Sequence, residues 1–223
     1  EKIELQDREV EEVRDVKGEE IVGQYFRNPV TDDETIMLPG DFVETDSGTG
    51  LVMSVPAHAP YDWISLQDLK NSENLLKEYG ISPNEVRKIE PKQIINTEAY
   101  DDIPAKEACE EHGVESQDGE EALEKATEEV YEKEFHSGVL NASCGDYTSE
   151  NVNSVKDVLI DDFKDQGMFD SMYDFSEEVV CRCGGKVIVS MQESCFLEYG
   201  DRGWKDKVRS HLDDMDIIPE EKR

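Results

Sequence analysis

Gly48-Thr49-Gly50-Leu51-Val52-Met53-Ser54-Val55-Pro56-Ala57-His58-Ala59-Pro60-Tyr61-Asp62-Trp63 is the stretch from which the rest of this chain is best read. A Gly-Thr-Gly turn feeds the apolar run Leu51 to Val55, which has the length and composition of a short strand. Pro56 ends that strand, because it has no N–H to give to a ladder. His58, Tyr61 and Asp62 then fall at the strand's end, where a loop on a rigid scaffold can present chemistry. The plain alternative is a buried strand followed by a polar turn.

Working outward, residues 1–55 read mainly as β structure. Glu20 to Arg27 and Thr35 to Val43 carry β-branched and aromatic residues at near-alternate positions. The turn-rich Asn28-Pro29-Val30-Thr31-Asp32-Asp33 separates them. Beyond the central stretch, a helix is expected from about Trp63 to Tyr79, closed by Gly80. Lys92 to Thr97 reads as one more short strand returning to the same sheet. From Pro104 the pattern is helical. Pro104 to His112 has proline at its start and Gly113 just past its end, the usual asymmetry of helix termini. Glu120 to His136 places Leu123, Ala126, Val130 and Tyr131 on one face, continued by Phe135. Ser154-Val155-Lys156-Asp157 resembles a capping box opening an amphipathic helix that runs up to Gly167. These stripes are core packing and carry no chemistry. From about Phe175 the signals return to β: Val179-Val180 and Val187-Ile188-Val189 flank Cys181-Arg182-Cys183-Gly184-Gly185 as a hairpin. A charged helix from about Gly203 to Met215 follows.

Composition bounds the class. The chain has 223 residues, 36% of them hydrophobic, which is low but sufficient for a core. No apolar run approaches the roughly 18 residues that a bilayer-spanning helix needs, and no signal peptide opens the chain, so a cytoplasmic location without a membrane partner is expected. The first residue is Glu1 and not Met, as expected of a piece of something longer. Asp and Glu number 55 against 23 Lys and Arg, a net charge of −32 dispersed along the chain. That balance is the reverse of an ordinary nucleic-acid binder, whose affinity comes from neutralising phosphate. It suits a surface adapted to high salt, because at about 1 M the Debye length is only ~3 Å and repulsion is largely screened. A surface that avoids nucleic acid or meets a basic partner is the competing reading. Five cysteines, an odd number without secretory context, argue against disulfides.

Gly48 to Trp63 resembles the signature of the editing domain in leucyl-tRNA synthetases of the archaeal and eukaryotic type. Other segments resemble that family in the right order. Gly18-Glu19-Glu20-Ile21-Val22-Gly23 and Arg27-Asn28-Pro29-Val30-Thr31 come before the signature. Ile103-Pro104-Ala105-Lys106-Glu107 and Glu128 to Leu140 follow it, and Phe196-Leu197-Glu198-Tyr199-Gly200-Asp201 with Gly203-Trp204-Lys205 lies near the end. The resemblance implies an α+β fold of the editing type shared by valyl-, isoleucyl- and leucyl-tRNA synthetases. That fold is a mixed, β-barrel-like core with peripheral helices, plus a small β-hairpin connector. Residues 1–175 would form the editing domain and 176–223 a cysteine-containing connector back to the catalytic domain. The family's threonine-rich editing segment has no counterpart in these residues. Neither does a His-Ile-Gly-His-type or Lys-Met-Ser-Lys-Ser-type motif, so ATP would be used only by a catalytic domain outside this chain. Aminoacylation is not expected from the chain alone. Position 195 is Cys where the family usually has Trp.

The implied reaction is hydrolysis of mischarged tRNA(Leu). Apolar side chains differing by one methylene are separated by only about 1–3 kcal/mol of binding, and a second, hydrolytic site supplies the missing discrimination. The partners would be the tRNA(Leu) 3′ end bearing a noncognate amino acid and the remainder of the synthetase. The resemblance matches Asp62 to the editing-site aspartate, an anchor for the substrate's α-ammonium through a charge-assisted hydrogen bond. Met53 and Val55, alternate residues on one face of the strand, would line the side-chain pocket, with Gly48, Gly50 and Tyr61 beside them. Thr49 would hydrogen-bond the terminal adenosine or the water. His58 has a side chain suited to general base work, against the simpler reading of a histidine bonded within its loop. Editing needs no cofactor. Cys181 and Cys183 would supply two ligands of a structural zinc, the others coming from Cys144, Cys195 or His136. Two free thiols are the equal alternative. A non-catalytic module that docks tRNA or scaffolds the enzyme is the second functional reading.

Overall fold

The computed structural model describes residues 2–6, 9–28, 33–43, 49–175 and 178–216. Its elements run α1 (Gly18–Ile21), β1 (Tyr25–Arg27), β2 (Glu34–Ile36), α2 (Pro60–Asn71), α3 (Glu73–Glu78), α4 (Pro83–Arg87), β3 (Ile95–Asn96), α5 (Pro104–Glu111), α6 (Glu120–Ser137), β4 (Val139–Leu140), α7 (Val152–Asp165) and α8 (Arg202–Asp213), with 3-10 turns at Glu4–Gln6 and Ala142–Tyr147.

Helices α2, α5 and α6 form the body. Pro60 and Pro104 open α2 and α5 at positions whose N–H would have no helical partner. Gly113, at φ 67°, ends α5 in the left-handed conformation that glycine tolerates best. Ala105, Ala108, Leu123, Ala126 and Val130 are buried where α5 meets α6, and the small alanines let the two helices approach closely. A second cluster joins Leu66, Leu69, Leu76, Ile81 and Val86 across α2, α3 and α4. The helix expected over 63–79 is therefore two helices, broken at Ser72 (φ −102°, ψ 63°), and the break turns Leu76 back onto Leu69.

Among the described residues there is no barrel, and this corrects the barrel-like core. The sheets are two antiparallel pairs, β1 with β2 (Phe26 opposite Thr35) and β3 with β4 (Ile95 opposite Leu140). The strand expected over 92–97 exists as β3, but it pairs with the end of α6's own connection and not with the N-terminal strands. Close approach there requires Gly138, where a Cβ would sit 2.2 Å from the Glu134 carbonyl oxygen and 2.7 Å from the Ile95 side chain. Glu20 and Ile21 belong to α1 and not to a strand. Leu51 to Val55 is extended but unpaired and exposed, so apolar composition alone did not make it a ladder strand.

Two further expectations change in the helices. Helix α7 starts after Asn151, which leaves Ser154 inside its first turn with Oγ bonded back to the Asn151 carbonyl. On α6 the buried face is Leu123, Ala126, Val130 and Glu134, while Tyr131 and Phe135 are exposed. The hairpin over 179–189 is present as a turn: Cys181 and Gly185 are hydrogen-bonded, Val187 N–H donates to the Val179 carbonyl, and Val180 bridges Lys186. Near the start of the chain, buried Gln6 clasps Tyr173. Its Nε2 donates to the Tyr173 carbonyl at 2.6 Å and its Oε1 accepts the Tyr173 N–H at 2.7 Å.

Candidate functional site

Asp62 occupies the first turn of α2, where the positive end of the helix dipole favours a carboxylate. It is 5% exposed, and its Oδ2 accepts the Val55 N–H at 2.5 Å. Burial raises the Asp62 pKa, while hydrogen bonds from the Val55 N–H and the Ser54 hydroxyl pull it the other way. The carboxylate thus ties the N-terminus of α2 to the end of the Leu51 to Val55 segment, with Pro56 and a short turn between them. That turn is closed by N–H donations from His58 and Ala59 to the Val55 carbonyl, at 2.8 and 3.0 Å.

The tie opens onto a cleft of about 1200 Å³, in which Val52, Met53 and Val55 make an apolar wall beside Tyr61 and Asp62. Phe42 lies against Tyr61 with ring centroids 6.2 Å apart. Tyr131 of α6 also lines the cleft; although its ring is half exposed, its phenol pKa is raised first by partial desolvation and then by the charges of Asp62 and Glu134. Asp41, Asp68, Asp118, Glu120 and Glu124 share the lining with Asp62, and among the described residues no Lys or Arg does. A cleft with that polarity, one buried carboxylate and an aliphatic wall is chemically suited to a cationic group attached to an apolar side chain.

The structure therefore gathers Asp62, Met53, Val55 and Tyr61 at one place. Thr49 and Gly50 do not line the cleft: Thr49 is exposed, and its hydroxyl is engaged with Leu51 of its own turn. Gly48 lies outside the described residues. His58 is turned away from the cleft. It is 5% exposed, with Nδ1 2.6 Å from the Glu134 carboxylate and Nε2 accepting the Ile94 N–H at 3.0 Å. Both ring nitrogens are occupied, so as folded it has no lone pair with which to take a proton from water. The simpler expectation of a histidine bonded within its own loop does not describe this geometry either, because Glu134 and Ile94 come from other elements. Phe42 and Glu134 carry no role in the sequence reading, and Tyr131, read there as core packing, lines the cleft instead. Glu134 had left a signal: a charged residue four positions after Val130, where the apolar stripe calls for a hydrophobe.

Cys181 and Cys183 are joined as a disulfide, which corrects the expectation of none. The hairpin brings their Cα atoms to 5.3 Å, inside the range that a bridge requires. A disulfide sulfur has no thiolate to offer zinc. Among the described residues no group of three His, Cys, Asp or Glu gathers as a metal would need, so Cys144, Cys195 and His136 do not complete a set and this geometry does not fit the ion. Cys109 is buried against Pro60, and burial pushes its thiol up to about 12.

No protein-family model matches the chain. Over its full length it is 45% identical to a segment of the leucine–tRNA ligase of Methanothrix thermoacetophila and 44% identical to one of Methanocaldococcus jannaschii, covering 23% and 22% of those proteins. It thus spans less than a quarter of the length of these relatives. Among solved structures it is similar to the crystal structure of GlLeuRS-CP1, with TM-score 0.63 and 23% identity over 73% of this chain and 62% of that one. The cytosolic leucyl-tRNA synthetase editing domain of P. falciparum gives TM-score 0.60 and 20% identity, over 68% of this chain and 47% of that one. The fold is therefore that of leucyl-tRNA synthetase editing domains.

Proposed function

We propose that this chain is the editing region of a leucine–tRNA ligase, and that its cleft hydrolyses the ester joining a noncognate amino acid to tRNA(Leu). The observation that carries the reading is buried Asp62, placed at a helix N-terminus beside the Met53 and Val55 wall in a cleft lined by carboxylates and by no described cation. The similarity to leucine–tRNA ligases along the whole chain supports the same reading.

In this proposal the aminoacyl group enters with its ammonium on Asp62 and its side chain against Met53 and Val55. A water adds to the ester carbonyl, the bond to the ribose oxygen breaks with one water proton passing to that oxygen as a hydroxyl, and the amino acid leaves as the carboxylate with the other proton released to solvent. Residues of this chain orient the ester and exclude bulk water, and none of the described ones is placed as a free general base. Discrimination comes from which side chains the wall admits. Residues 1–175 would act as the editing unit and 176–223 as the connector, with aminoacylation and ATP left to other parts of the ligase. The acidic surface fits a high-salt cytoplasm. Among the described residues no helix is long and apolar enough to cross a membrane.

The test is deacylation of isoleucyl- and norvalyl-tRNA(Leu) at high salt by the ligase containing this segment, with and without Asp62→Ala. A hydrogen bond to a charged group is worth about 1.5–3 kcal/mol, so kcat/KM should fall by about 10- to 150-fold. Hydrolysis unchanged by the substitution removes Asp62 from the site. A tRNA-docking module without catalysis is the second reading. It is favoured by Thr49 lying outside the cleft, and it predicts tRNA binding with no deacylation by the ligase.

A further inference from the structure

Apart from Asp62, Glu134 is the only buried carboxylate among the described residues, at 4% exposure. It sits in the last turn of α6, on the stripe that otherwise buries Leu123, Ala126 and Val130. Burying a charge is costly unless it is paired, and its partner here is His58, 76 positions away in sequence. The Ile94 N–H can only donate, so the Nε2 that accepts it carries no proton and the Nδ1 facing Glu134 does. Glu134 and Ile94 together thus select one tautomer and fix the plane of the ring.

What they fix is the turn that builds the cleft. The His58 and Ala59 N–H groups both donate to the Val55 carbonyl, and the Val55 N–H is the donor held by Asp62. Ala57 adds a tether to α5 by accepting the Ala105 N–H at 3.1 Å. We propose that Glu134 is a positioning residue for the Asp62 site: by holding His58 in its Nδ1–H tautomer, it fixes the turn that presents the Val55 N–H to the Asp62 carboxylate. The inference rests on the editing reading above for its consequence in catalysis, but not for the geometry it asserts.

The experiment follows the full chain by NMR, using nitrogen-15 histidine and the Val55 amide, alongside deacylation per folded molecule by the ligase. The four histidines make assignment of His58 tractable. The native protein should show the Nδ1–H tautomer and a Val55 amide shifted downfield by its short bond to a carboxylate. Glu134→Leu should abolish the tautomer preference, move the Val55 amide upfield and lower kcat about tenfold, as expected of a misplaced rather than missing anchor. Glu134→Gln should restore all three, because its amide oxygen still accepts from Nδ1–H. Where Glu134→Leu does not fold, Glu134→Asp withdraws the carboxylate by one methylene and should give the same changes in smaller measure. Tautomer and Val55 amide unchanged in a folded variant overturn the proposal, and so does a changed tautomer with undiminished hydrolysis. If the native ligase hydrolyses nothing, the editing reading fails, and the two resonances alone decide whether Glu134 sets the geometry.

Discussion

From Ala57 to Val155 the chain holds every fully buried apolar side chain among the described residues. Among the described residues of 168–216 none is buried, and Phe196 and Leu197 stand 89% and 76% exposed. The two regions have comparable apolar patterns and differ in having partners. The helices of the first interlock across α2, α5 and α6, whereas α8 leaves Trp204, Val208 and Leu212 more than 40% exposed, Trp204 meeting its chain neighbours Glu198 and Tyr199. The cleft lies on the seam between these behaviours. Its Asp62 and Tyr131 stand on packed helices, while Met53 is 60% exposed on an extended segment with no ladder. Rigid anchoring of the polar group and an open apolar wall follow from that placement.

The contrast breaks if truncation costs the same on both sides. Leu123→Ala, in the α5–α6 interface, should lose about 2–5 kcal/mol, whereas Leu197→Ala should stay within about 0.5 kcal/mol. Urea midpoints of the two variants read the difference directly, and a large loss from Leu197 would show that the second region is packed in solution. Gly138→Ala should cost about 1–3 kcal/mol by overpacking against the Glu134 carbonyl and Ile95. Because that clash lies at the foot of the His58 strut, its loss should appear in thermal unfolding of the helical region and leave protease sensitivity at residues 190–200 unchanged.

A smaller effect sharpens the comparison through pH. The Cys109 thiol titrates at about 12 when folded and near 8.5 when unfolded. The folded state holds that proton longer, so the contribution is full below about pH 8.5 and is lost as pH rises toward the folded value. Tyr100, raised to about 12 by burial, adds its own decline above its ordinary value near 10. Urea midpoints across the alkaline range should fall less steeply in Cys109→Ala than in the native chain. Alkylation should label exposed Cys195 and spare Cys109 until the protein unfolds. Equal labelling would mean that α5 opens readily.

Helices were the legible part of the sequence. Pro104 with Gly113, and the Leu123, Ala126, Val130 spacing, are local signals, and α5 and α6 formed where they pointed. Strands were not, because a strand is completed by its neighbour: Leu51 to Val55 has strand composition and no ladder, and β3 found β4 more than forty residues later. The site divides the same way. Asp62, Met53, Val55 and Tyr61 lie within ten residues and line one cleft, whereas the fate of His58 was decided by Glu134 and Ile94 from other elements. Likewise the Cys181 to Cys183 hairpin was readable as a turn, but the covalent state of its sulfurs was not.

The Gln6 clasp carries a mechanical consequence. It joins points 167 residues apart, and the Met191 N–H donation to the Leu5 carbonyl closes the same knot from the other side. A pull that separates the first residues from the segment around Tyr173 loads these bonds before it reaches a helix. With the Lys2–Asp174 ion pair at 2.7 Å beside them, these bonds take up such a strain ahead of the helices that carry the cleft.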